Sequence, residues 1–226
     1  MIQFERVSKQ YAGGGAALQD VSFALAAGEM AFVTGHSGAG KSTLLKLIAL
    51  IERPSSGAVT LAGRNLRQLR RRQIARHRRG IGLVLQDALL LADRSVQANV
   101  ELPLVVAGVA AAERGKRVRA ALARVGLEGM EQRLAARLSA GEQQRAGIAR
   151  AIVAQPPLLL ADEPTGNLDP QLAQEVMQLF AGLCAQGTTV LVASHDLLLI
   201  KRMRQRVLVL DHGRMVDDIG ATEVAT

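Results

Sequence analysis

Gly35-His36-Ser37-Gly38-Ala39-Gly40-Lys41-Ser42 keeps the spacing G-x-x-x-x-G-K-[ST]. It follows an apolar run, Met30 to Thr34, and opens a stretch of helical spacing, Lys41 to Ile51. Strand, loop and helix in that order make the match specific. A polyphosphate needs many donors at close range. Glycines at 35, 38 and 40 let backbone N–H groups converge without a Cβ in the way. The helix start adds unpaired N–H groups and the positive end of its dipole. Lys41 can reach the outer phosphates, and the Ser42 hydroxyl is an oxygen ligand of the kind Mg²⁺ prefers. His36, Ser37, Ala39 and Thr43 complete the expected cradle. The expected ligands are ATP and Mg²⁺.

Leu158-Leu159-Leu160-Ala161-Asp162-Glu163 is an apolar strand that ends in two acids. In parallel sheets, ligand chemistry collects beyond the carboxyl ends of the strands. Asp162 is then placed to hold Mg²⁺, and Glu163 to polarise an attacking water as a general base. Two adjacent acids alone would pass for an exposed turn; the phosphate loop upstream favours the chemical reading. Leu138-Ser139-Ala140-Gly141-Glu142 precedes a helical run, Gln143 to Ala154. Ser139 and Glu142 have capping-box spacing. A capped helix start with a glycine is also an anion site, and both readings stand on these residues alone.

The elements that must carry these groups alternate along the chain. Strand-like runs fall at Ile2 to Val7, Val21 to Leu25, Met30 to Thr34, Val59 to Ala62 and Ile81 to Leu85. Further ones fall at Leu158 to Ala161 and Thr189 to Ala193, and a closing hairpin at Val207 to Leu210 and Met215 to Val216. Helical spacing covers Leu66 to Arg79, the whole of Ser95 to Ala154, and Gln171 to Gln186. Alternation of this kind predicts an α/β fold with a mostly parallel sheet covered on both faces. The short strands at the start predict an antiparallel β lobe. The helical stretch at about 88–155 reads as a lobe inserted into one domain spanning 1–226. The end of the chain soon after the last strand predicts no appended regulatory domain.

The net charge of +8 sits in one place. Eight arginines and no acid lie between Arg64 and Arg79, and the remaining 20 basic residues balance 20 acidic ones. That segment is either a solvated helix face or a contact for acidic lipid headgroups or an acidic partner. With no Trp, one Tyr and four Phe, stacking platforms for single-stranded nucleic acid are scarce, so nucleic acid is not expected. A single cysteine, Cys184, fits a reducing compartment. The first residues read as a strand rather than a leader. The longest apolar stretch, Leu102 to Ala112, falls short of the ~20 residues of a membrane span.

Together, the phosphate loop, Leu138 to Glu142, Leu158 to Glu163 and Ser194-His195-Asp196 resemble the ABC ATPases, in the same order and over essentially the whole chain. The resemblance implies a P-loop NTPase fold and ATP hydrolysis. It implies that Gln86, at the junction of sheet and helical lobe, joins Ser42 and Asp162 at the metal and Glu163, Lys41 and His195 in catalysis, and that His195 contacts the terminal phosphate. It implies that Asn167-Leu168-Asp169 crosses to a second subunit. Tyr11 falls where that family stacks an aromatic on adenine; a surface strand residue is the alternative. Two copies would pair head to tail, with Ser139, Gly141 and Glu142 of one completing the site held by Lys41 of the other. Ala140 departs from the more usual glycine.

Within the family, Gly35 to Ile48, Ile51 to Gly57, Ala92 to Val96 and Gly141 to Arg150 look like the cell-division branch. His36 stands where sister exporters more often carry proline. This implies a membrane partner, FtsX, a position on the cytoplasmic face of the cell membrane, and control of cell-wall hydrolysis at division. The alternative is a lipoprotein-releasing or macrolide-export ATPase, which shares Glu163 to Asp169. The docking groove is expected near Gln86 to Val100, with Leu89, Leu90, Leu91 and Val96 either lining it or buried as core.

Overall fold

Two patterns of apolar residues become two sheets. The computed structural model describes residues 1–223. The chain begins with strands β1 (Ile2–Gln10), β2 (Ala16–Leu25) and β3 (Met30–Thr34), then helix α1 (Lys41–Ile48). Strands β4 (Ser56–Leu61) and β5 (Arg64–Asn65), helix α2 (Arg71–Arg79) and strand β6 (Ile81–Val84) follow. Helices α3 (Val96–Val106), α4 (Ala111–Arg124) and α5 (Ala140–Ile152) come next. The chain continues through β7 (Leu158–Asp162), α6 (Pro170–Ala185), β8 (Thr189–Ala193), α7 (Leu197–Met203), β9 (Arg206–Asp211) and β10 (Arg214–Ile219).

The first sheet is antiparallel, in the order β2-β1-β4-β5. Alternating residues of β1 and β2 turn inward, and Phe4 stacks on its register partner Phe23 with ring centroids 4.7 Å apart. The second sheet runs β10-β9-β3-β8-β7-β6, and all its pairs are parallel except β9 with β10. All residues of β3 and β8 are buried, as are the first four of β7. That is why these strands read as unbroken apolar runs rather than alternating ones. The ordering aligns the ends of β3 and β7 on either side of β8, so the phosphate loop and the acidic pair emerge at one edge.

Several boundaries depart from the sequence pattern. The expected helix over Leu66 to Arg79 is a 3₁₀ turn, Leu66–Gln68, then a break, then α2. Leu69 and Arg70 are extended because the Arg53 guanidinium holds the carbonyls of Arg67 and Leu69 at 3.1 and 3.2 Å. The helix after the phosphate loop stops at Ile48, and Leu50 turns left-handed at φ 53°. Arg78 and His77 then satisfy the freed carbonyls of Ala49, Leu50 and Ile48. Ser95 to Ala154 is not helical throughout: residues 125–139 form turns and one 3₁₀ turn between α4 and α5. Helix α7 lay outside the expected elements, although Asp196 caps it by accepting from the Leu199 N–H at 2.9 Å. Among the described residues, no helix is long and apolar enough to cross a membrane.

Candidate nucleotide site

Two glycines fix the shape of the phosphate loop. Gly35 has φ 147°, and a Cβ there would lie 2.1 Å from the Leu210 carbonyl. Gly40 has φ 107°, and its Cβ would meet the Ala17 carbonyl at 2.5 Å. Any side chain at either position would push the loop off the end of β9 or off β2. Lys41 is buried and curls back over the loop, donating to the carbonyls of Gly35 and His36 at 2.7 and 3.1 Å. Phosphate oxygens offer the same ammonium a charge-assisted partner. His36 and Ser37 are exposed at the rim, while Ala39 is buried beneath it.

The acidic pair sits beside this loop. Glu163 has φ 46°, a left-handed conformation uncommon for this residue type, held by its N–H donating to the Ala193 carbonyl at 2.9 Å. That conformation aims the carboxylate at His195, whose Nδ1 lies 2.9 Å from Oε1, with Lys41 Nζ 3.9 Å from the same oxygen. His195 stands on a turn braced by the Asp196 N–H donating to Ser194 Oγ, and its side chain is 72% exposed. A carboxylate between an imidazole and an ammonium can accept a proton from a water held at the terminal phosphate.

Asp162 is half-buried. Burial pushes its carboxyl above the usual carboxylate range; the Ser42 hydroxyl opposes this and the neighbouring Glu163 charge adds to it. Asp162 Oδ1 is buried and has no hydrogen-bond partner among the described residues. An orphaned carboxylate oxygen beside a hydroxyl, next to a phosphate cradle, fits Mg²⁺. Ser42 and Asp162 would hold the ion, and it would supply charge neutralisation of the phosphates. Gln86 lies exposed two residues past β6 and makes no side-chain hydrogen bond among the described residues. It shares the sheet edge with Glu163 without being hydrogen-bonded to Ser42 or Asp162.

Tyr11 ends up beside the loop, with its hydroxyl 3.5 Å from Thr43 Oγ1. Lys9 Nζ sits 4.8 Å from its ring centroid, and the residue remains 36% exposed. The Ser139–Glu142 turn is a complete capping box. Ser139 Oγ accepts from the Glu142 N–H at 3.2 Å, and Glu142 Oε2 accepts from the Ser139 N–H at 2.7 Å. That backbone donor holds the Glu142 carboxyl below its ordinary value. Ser139 and Ala140 are exposed, and Gly141 faces Leu168 of the Asn167–Asp169 loop. Among the described residues, no hydrogen bond or ion pair joins this turn to the phosphate loop of its own chain.

One residue of the site went unnoticed in the sequence. Gln144 is buried, and its amide donates to the carbonyls of Leu85 and Pro164, each at 3.1 Å. It ties α5 both to the strand before Gln86 and to the turn after Glu163. Its burial shows only in the fold, since both carbonyl partners lie far from it in sequence. The docking surface also needs correction. Val96 is fully buried in the core, whereas Leu89 and Leu91 are 67% and 47% exposed, and Leu90 packs partly against the core. Val96 follows the Ser95 cap and starts α3 facing inward. Buried Asn99 bonds to Leu91 N and O, and Arg150 donates to the carbonyls of Ala88 and Leu89. These bonds hold Leu89 and Leu91 on the surface.

Known proteins resemble this chain in sequence and in fold. The ABC transporter family model matches residues 18–166. A model of an AAA domain, described as a putative AbiEii toxin of a type IV toxin–antitoxin system, matches residues 133–201. The chain is 51% identical over 220 residues to the cell division ATP-binding protein FtsE of Escherichia coli strain K12, covering 97% of this chain and 99% of that protein. It is 43% identical to the FtsE of Mycobacterium tuberculosis, covering 96% and 95%. A dimeric post-hydrolysis structure of the ATP-binding cassette MJ0796, bound to ADP and Pi, superposes with a TM-score of 0.92. It is 33% identical and covers 98% of this chain and 99% of that one.

Proposed function

The chain belongs to the ABC transporter family of ATPases, and on that premise we propose that two copies close on ATP to work a membrane partner in cell division. The chain binds and hydrolyses ATP. Lys41 and the loop amides would hold the phosphates, with Ser42 and Asp162 toward Mg²⁺ and Tyr11 against the adenine. Glu163 would take the proton of the attacking water, and His195 would orient it against the terminal phosphate. Gln86 would report the state of the metal site to the helical lobe. One observation carries the paired reading: the turn is exposed at Ser139 and Ala140, and among the described residues no hydrogen bond or ion pair ties it to its own phosphate loop. A second copy can bring that helix start to the phosphates, which is the contact an anion at a helix N-terminus favours.

The division role follows the FtsE relatives, and the partner is FtsX. A short helix of that protein would seat against Leu89 and Leu91. The ATPase would then lie on the cytoplasmic face of the cell membrane. Purification of the tagged chain from membranes should recover a four-span membrane protein with a large external domain. Recovery of a permease of another type would replace the division role with export.

The arginine segment supports a place at the membrane. Arg78 is committed to the carbonyls after α1, but Arg70, Arg71, Arg72 and Arg76 are exposed without an ion pair among the described residues. Arg71 and Arg72 open α2, where the helix dipole disfavours cations. A negative surface relieves that repulsion. Reversing Arg70, Arg71 and Arg72 to Glu should reduce sedimentation with phosphatidylglycerol vesicles at low salt. Undiminished sedimentation would leave the segment as a solvated face.

A further inference from the structure

The β9–β10 turn folds onto the phosphate loop. The Gly213 N–H donates to the Ala39 carbonyl at 3.1 Å, and Gly35 packs on Leu210 without room for a side chain. His36 of the loop meets Asp211 and His212 of the turn, with the two imidazole centroids 4.6 Å apart. His36 Nε2 lies 3.2 Å from Asp211 Oδ1, and His212 Nε2 lies 3.9 Å from the same oxygen. One ligand atom from each of the three lies within 4.8 Å of the others. We propose that His36, Asp211 and His212 form a binding site for a transition-metal cation of the Zn²⁺ type, which clamps the phosphate loop to the β9–β10 turn.

The hydrogen bonds orient the ring as a metal site requires. His36 Nδ1 is 2.6 Å from the Ser37 carbonyl. A carbonyl only accepts, so Nδ1 donates to it, and Nε2 is the nitrogen left facing Asp211 and the turn. A second bond agrees: the His212 N–H donates to His36 Nε2 at 3.4 Å. An imidazole whose other N–H is held by a backbone carbonyl is the usual orientation of a metal-bound histidine. Zinc takes imidazole nitrogen and carboxylate oxygen at about 2.0–2.2 Å, so tetrahedral ligands lie roughly 3.3–3.5 Å apart. His36 and Asp211 already have nearly that separation. His212 is 81% exposed at its side chain and can rotate into place. Two imidazoles and one carboxylate select Zn²⁺, Ni²⁺ or Cu²⁺ over Mg²⁺. The nearby cation does not compete, since Arg214 turns away to donate to Gln19. Neither Asp211 nor His212 has a part in the ATP chemistry proposed above, and His36, which the site shares with the cradle, is exposed at the rim of the loop.

Titration of Zn²⁺ into the nucleotide-free full chain tests the site, with calorimetry and thermal unfolding as readouts. The wild type should bind one equivalent and unfold at a higher temperature. His212→Asn keeps a residue type tolerant of the left-handed φ of 45° found there. That variant should bind Zn²⁺ about tenfold or more weakly and lose the thermal shift. Equal binding and equal thermal shift in the two proteins would overturn the site. So would Zn²⁺ binding that survives in His212→Asn and disappears in Cys184→Ser, or a wild type that does not bind Zn²⁺ saturably.

Discussion

Glu163→Gln should lower ATP turnover by about a hundred- to ten-thousandfold, the usual worth of a positioned general base, while ATP still binds. The amide keeps the length and shape of the side chain, and its oxygen can still face His195 Nδ1, now 2.9 Å from Oε1. What it loses is the capacity to take a proton from water. The left-handed backbone at residue 163 is held by the Ala193 carbonyl rather than by the side chain, so the turn should survive. Single-turnover hydrolysis against binding of a fluorescent ATP analogue separates the two effects. Undiminished turnover would remove Glu163 from the chemistry and leave its contact with His195 as structural.

Lys41→Ala should act at the earlier step and weaken ATP binding itself. Hydrogen bonds to a charged group contribute about 1.5–3 kcal/mol each, so loss of one such contact costs roughly ten- to a hundredfold in affinity. The same ammonium spans the mouth of the loop in the free protein, bonded to Gly35 and His36. Its removal takes away an internal brace as well as the proposed phosphate ligand. A circular dichroism spectrum matching the wild type, with nucleotide affinity lost, is the expected pair of results. Wild-type affinity in a folded Lys41→Ala would contradict the cradle.

The two mutants bear on features that differed in how far they could be read from sequence. The phosphate loop was legible because glycine spacing, a buried strand and a helix start agree locally. The runs in β3, β7 and β8 were legible because strands buried on both faces carry apolar residues at every position. What escaped depends on contacts distant in sequence. Arg53 breaks the helix expected over Leu66 to Arg79 by holding carbonyls 14 and 16 residues on. Val96 and Leu89 look alike as apolar residues, yet Asn99 and Arg150 pin one loop so that they face opposite ways. The positive φ of Glu163 comes from the pairing of β7 with β8, which no local pattern encodes. Gln144 looked like one more polar residue on a capped helix, until both its carbonyl partners were in place.

The most direct test of the paired site is the mass of Glu163→Gln in solution by light scattering, with ATP and Mg²⁺ and then with ADP. Slow hydrolysis should trap two copies together with ATP, and ADP should release them to single chains. A Glu163→Gln protein that binds ATP to saturation and stays at the mass of one chain would contradict a site completed by the Ser139–Glu142 turn of a second copy.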